Sequence, residues 1–169
     1  EDNPASVQRF TSDPLLMNAL KHSRSVYELP NEELEKFAAV YLPGGHGTMW
    51  DLPNCERLTE IIEQFYKAGK PVSAVCHGIA GLINAKNEHG ESILKGKSVN
   101  CFTNAEECEI ELDQIVPFLL ESKVKDLGAK FEKAGKFEAY VAVDGQLVTG
   151  QNPPSAEFVA KAVIRLLKS

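Results

Sequence analysis

Apolar positions along the chain fall into unbroken runs and helical stripes. Phe37-Ala38-Ala39-Val40-Tyr41-Leu42 is an unbroken run stopped by Pro43-Gly44-Gly45, the pattern of a buried strand that ends in a tight loop. Leu58, Ile61, Ile62 and Phe65 then recur at i, i+3, i+4 and i+7. That spacing predicts an amphipathic helix from Cys55 to Lys67, with Asn54 as its N-cap and Gly69 just beyond its end. Pro71 to Val75 reads as a second buried strand, and a helix is expected to open at Gly78 and run to about Ala85. Ser98 to Phe102 reads as a third short strand, followed by an acidic stretch from Glu106 to Asp113. A further helix is expected from Pro117 towards Leu127, with Gly128 as terminator. Tyr140 to Val143 and Gln146 to Thr149 flank Asp144-Gly145, which signals a hairpin. The last helix has Asn152 as cap, Pro153 at its first position and apolar residues at 156, 159, 160, 163, 166 and 167. The first 25 residues are polar and irregular except for Pro14 to Leu20, which predicts a short helix.

Strands that alternate with helices predict a doubly wound α/β domain: a mainly parallel sheet covered on both faces, with an added β-hairpin. Sites in such sheets lie at the carboxyl ends of strands. Pro43-Gly44-Gly45-His46 and Cys76-His77 both occupy such ends. The 169 residues, 43% hydrophobic and 25% charged, suit one domain with a real core. A formal charge of −6 argues against a nucleic-acid partner, and no apolar run approaches the ~18 residues of a membrane span. The four cysteines, at 55, 76, 101 and 108, form no C-x-x-C pair and lack zinc-ribbon spacing. They read as reduced thiols in a cytoplasmic protein with no structural metal.

Cys76 stands where a strand turns into the next element, with small residues, Ala74 and Gly78, two positions to either side. A nucleophile elbow needs this arrangement, because the turn is too sharp for bulkier neighbours. A helix N-terminus and the adjacent His77 would favour the thiolate, so a thiol pKa below the ordinary ~8.5 is expected. The competing reading is an inert buried cysteine. Gly44-Gly45 would let backbone N–H groups approach a ligand, although a glycine pair equally makes a plain turn. His46 reads as a loop histidine. Glu106 and Glu107 follow a strand end, where an acid could orient an imidazole or simply favour a helix start.

The stretches "YLPGGHGTMWDLP", "AVCHGIAGLINAK", "CFTNAEE" and "LVTGQNPPSAEFVAKAV" together resemble the PfpI-like superfamily of class I glutamine amidotransferase-like folds, which are flavodoxin-like. Within it they are most similar to the branch of heat-shock chaperones and glutathione-independent glyoxalases (glyoxalase III). The resemblance runs from about Ala38 to the C-terminus. It implies a catalytic triad of Cys76, His77 and Glu107, with backbone N–H groups of Gly45 and His77 as oxyanion donors and no metal or cofactor. It further implies a small aldehyde substrate such as methylglyoxal, a homodimer, and the alternatives of a chaperone for unfolded client proteins, a redox sensor, a deglycase or a peptidase. The family's first strand and helix, which supply another acidic residue facing the cysteine, have no counterpart before Pro4 to Ser25. The expectation is therefore a single domain over 1–169 that continues a longer polypeptide.

Overall fold

The computed structural model describes residues 4–169. Contacts divide the chain into two compact units, one ending at Leu34 and one beginning at Glu35. The first unit carries α1 (Ala5–Thr11), α2 (Pro14–Lys21), a 3₁₀ turn (Val26–Glu28) and α3 (Asn31–Leu34). Helix α2 is the short helix expected from Pro14. It starts there because Asp13 accepts hydrogen bonds from the Leu15 and Leu16 N–H groups, and proline fits the first helical position.

The second unit opens with β1 (Val40–Leu42), α4 (Thr48–Asp51) and α5 (Glu56–Lys67). Then come β2 (Val72–Val75), a 3₁₀ segment (Cys76–Leu82), β3 (Ser98–Val99), α6 (Asn104–Glu109) and α7 (Leu120–Asp126). The chain ends with β4 (Lys130–Phe131), β5 (Val141–Asp144), β6 (Leu147–Gly150) and α8 (Ala156–Leu166). The main sheet has the order β1-β2-β6-β5, with β1, β2 and β6 parallel and β5 antiparallel to β6. The predicted hairpin is thus part of the main sheet: its second strand lies beside β2 and is buried at every position. Register places Leu42 opposite Ala74, and Val75 opposite Gly150, so three parallel strands end along one edge. Whatever follows them meets there.

Alternation along the strands separates the two faces. Val75 and Val148 pack with Val159, Ala162 and Val163 of α8, joined by half-buried Tyr41 and Val141. The intervening positions Val72, Ala74 and Leu147 are fully buried as well, and α5, which contacts β2, buries the predicted stripe Leu58, Ile61, Ile62 and Phe65.

The structure corrects four sequence expectations. Helix α5 begins at Glu56, because Asn54 ends a 3₁₀ turn and its side chain donates to the Trp50 carbonyl instead of capping. The strand expected over Ser98 to Phe102 pairs only at Ser98 and Val99, and with β4 in a separate parallel pair. At Asn100 the backbone N–H turns to the Thr149 hydroxyl, which takes it out of the ladder. The helix expected from Pro117 starts at Leu120. In place of a helix from Gly78 to Ala85 there is 3₁₀ structure that already includes Cys76.

Candidate active site

The turn from β2 into the 3₁₀ segment holds Cys76 at φ 59, a left-handed conformation that a non-glycine residue adopts only under constraint. Gly44 and Gly78 supply that constraint. A Cβ on Gly44 would lie 2.8 Å from both the Cys76 Cβ and the Val75 carbonyl oxygen, and one on Gly78 would collide with the Leu42 carbonyl. The loop after β1 and the turn after β2 can therefore interlock only because both positions lack side chains. The result brings backbone N–H groups of Gly45 and His77 onto the Cys76 sulfur. Gly45 itself is at φ 113, open to glycine alone.

The three side chains of the expected triad are brought together. Cys76 Sγ lies 3.2 Å from His77 Nδ1, and His77 Nε2 lies 2.7 Å from Glu107 Oε2. An ionised carboxylate only accepts, so His77 donates through Nε2–H and presents its Nδ1 lone pair to the thiol. All three residues are buried, Cys76 at 6% exposure and His77 at 0%.

Glu106 has a different set of partners. Its carboxylate accepts from the Thr103 N–H and hydroxyl, closing a capping box at the start of α6, and also from the Phe137 N–H, Gln151 and Asn152. Burial alone would raise its pKa, but bonds from Asn152, the Thr103 and Phe137 N–H groups and Gln151 hold it below the usual carboxylate range. Glu106 thus ties α6 to the two loops that wall the site.

Burial dominates the electrostatics of the other two groups. It pushes the Cys76 thiol up to about 11, against the His77 and Gly45 N–H groups and with the help of the Glu106 and Glu107 charges. This overturns the expected depression below ~8.5: the sulfur is too dry, and too near two carboxylates, for the amides to prevail. Burial also lowers the His77 pKa, the bond to Glu107 opposing it and the His46 ring adding to it. The resting pair is accordingly a neutral thiol beside a neutral imidazole.

His46, read from the sequence as a loop histidine, reaches the site. Its Nε2 lies 2.7 Å from Glu107 Oε1, and its ring centroid is 4.0 Å from that of His77. The available signal was its position at a strand end shared with Cys76. His46, His77 and Glu107 carry potential ligand atoms within 4.8 Å of one another, but each Nε2 is already committed to a carboxylate oxygen. In that arrangement the Glu107 carboxylate accepts from both imidazoles.

Above the sulfur lies a cavity of about 340 Å³ whose walls include Phe102, Ile110, Phe137, Pro153 and Pro154. Among the described residues no Lys or Arg lines it, so it offers a small uncharged molecule an apolar seat beside the Cys76 thiol and the His77 imidazole.

Several known proteins are similar to the chain as a whole. "Probable glutathione-independent glyoxalase hsp3104" of Schizosaccharomyces pombe is 33% identical over 159 residues, a match covering 89% of this chain and 69% of that protein. "Glutathione-independent glyoxalase HSP31" of Saccharomyces cerevisiae is 35% identical over 143 residues, covering 80% of this chain and 60% of that protein. The crystal structure of glyoxalase III from Candida albicans superposes with a TM-score of 0.88 at 30% identity, covering 97% of this chain and 70% of that one. The chain therefore spans between three fifths and seven tenths of the length of these relatives. The DJ-1/PfpI family profile matches residues 19–166, and on that match and these similarities the chain belongs to the DJ-1/PfpI family.

Proposed function

We propose that the protein is a glutathione-independent glyoxalase that converts methylglyoxal or a related small α-oxoaldehyde into a 2-hydroxy acid. The observation that carries this reading is the unbroken chain from Cys76 Sγ through His77 to Glu107 beneath an apolar cavity. The names of the relatives support it.

As the aldehyde carbon approaches, His77 Nδ1 takes the thiol proton and the sulfur adds to the carbonyl. The resulting alkoxide sits against the Gly45 and His77 N–H groups and is then protonated, giving a hemithioacetal. His77 next removes the hydrogen from the former aldehyde carbon and returns a proton to the neighbouring carbonyl carbon. The first carbon is oxidised to a thioester as the second is reduced to a carbinol, so no external electron acceptor enters. Water hydrolyses the thioester, releasing the hydroxy acid and restoring the thiol. Glu107 stabilises the imidazolium each time it forms.

A cytoplasmic, homodimeric enzyme belongs to the same reading. Cys76, Cys101 and Cys108 are free thiols, which fits a reducing compartment, and no helix among the described residues is long and apolar enough to cross a membrane. The test is to give the purified full-length protein methylglyoxal without glutathione and measure lactate, alongside suppression of aggregation of a heat-denatured client. Lactate formation supports the proposal. Client protection without lactate would favour the chaperone reading.

A further inference from the structure

The proposed triad uses one oxygen of Glu107, and the other is also engaged. Oε2 meets His77 and Oε1 meets His46, both at 2.7 Å, and Glu107 is 3% exposed. A carboxylate held at one oxygen can turn about its terminal bond, where the torsional preference is broad. A second donor on the other oxygen removes that freedom and fixes the plane in which His77 is held. We propose that His46 is a positioning residue of the active site, which locks Glu107 through Oε1 so that His77 keeps its Nδ1 on the Cys76 sulfur. The proposal rests on the reading of Cys76 as the nucleophile.

The alternative is that His46 merely holds its own loop. That loop is already closed by Thr48, whose hydroxyl donates to the Gly45 carbonyl at 2.7 Å. The His46 ring instead turns to the far side of the site. Its centroid lies 4.0 Å from that of His77 with the planes tilted by 44°, and it meets the edge of Phe102 at 5.9 Å, while remaining 34% exposed at the cavity wall. Through this one side chain the loop after β1 is joined to α6, which carries Glu107, and to the turn after β2, which carries His77. The titratable groups around the two rings are Glu107 and Glu106 on α6 and Cys76 after β2.

The test compares the full-length protein with its His46→Gln and His46→Phe variants. Glutamine keeps an N–H donor for Oε1, whereas phenylalanine keeps the ring packing and loses the donor. Two readouts are taken: iodoacetamide alkylation of Cys76 across pH, and kcat and KM for lactate formation. His46→Phe should lower both alkylation at pH 7 and kcat by about 10- to 100-fold, the range that loss of an outer-shell partner costs at metal-bound histidines. KM and the melting temperature should stay close to wild type. Its acid limb should move to higher pH, because the His46 ring no longer opposes a proton on His77. His46→Gln should recover most of the rate. A phenylalanine variant that reacts like wild type would overturn the proposal, as would equal losses in both variants with a lowered melting temperature. If wild type forms no lactate while the alkylation pattern holds, the positioning role stands and the glyoxalase reading fails.

Discussion

Glu106 and Glu107 occupy consecutive positions of α6, yet their carboxylates meet different groups: one accepts from Asn152, Gln151 and two backbone N–H groups, the other from two imidazoles. Their amide variants should separate accordingly. Glu107→Gln removes the charge that stabilises the His77 imidazolium and should cost up to ~10⁴ in turnover with little change in melting temperature. Glu106→Gln turns an NH₂ group towards donors that need an acceptor, so it should lose about 1–3 kcal/mol of stability for each buried partner left unsatisfied. Thermal melts and kinetics on the two variants check both statements. The thiol makes a second residue-scale prediction. With burial pushing Cys76 up to about 11 and lowering the His77 pKa, the resting cysteine is protonated through the neutral range. Alkylation of Cys76 in the substrate-free protein should therefore keep rising with pH towards about 11. The proposed catalysis needs neutral His77 as base, so turnover should fall as pH drops through the lowered His77 value. A plateau in alkylation below pH 7 would show a preformed thiolate–imidazolium pair instead.

At the scale of elements, the site depends on how closely the loop after β1 approaches the turn after β2. Gly78→Ala should displace that turn, because its Cβ would meet the Leu42 and Pro43 carbonyls, with loss of both stability and activity. Gly47→Ala, in the loop after β1, has open space around it and should be nearly neutral in melting temperature and turnover. Equal melting curves for the two variants would contradict this account of the elbow. The same elements mark what the sequence can reveal. β1, β2 and α5 were legible because each buries a continuous run or a clean stripe, and the hairpin because Asp144-Gly145 sits between two alternating segments. The two-residue β4 gave no periodic signal, and the 3₁₀ course from Cys76 to Leu82 follows from contacts with β1 that lie more than thirty residues away. In the site, local spacing pointed to Cys76, whereas the roles of Glu107 and the Gly45 amide came from the family resemblance. The high thiol pKa was hidden because it depends on desolvation, which spacing does not encode. So was the engagement of His46 with Glu107, sixty-one positions further along.

For the whole molecule, the sheet order β1-β2-β6-β5 brings the ends of three parallel strands to one edge, where the loops after β1, β2 and β6 line the cavity over Cys76. The cavity walls are apolar, so the conversion should favour uncharged α-oxoaldehydes over an analogue bearing a carboxylate, read as a lower kcat/KM for the charged substrate. In the proposed reaction Cys76 performs this chemistry without a thiol cofactor. The most direct measurement is the rate of lactate formation from methylglyoxal, in the absence of glutathione, by the full-length protein and by its Cys76→Ser variant at matched fold and concentration. Steady turnover is expected of the wild-type protein and none above the uncatalysed rate of the variant. Undiminished lactate formation by Cys76→Ser, or a wild-type protein that stays silent until glutathione is added, would contradict it.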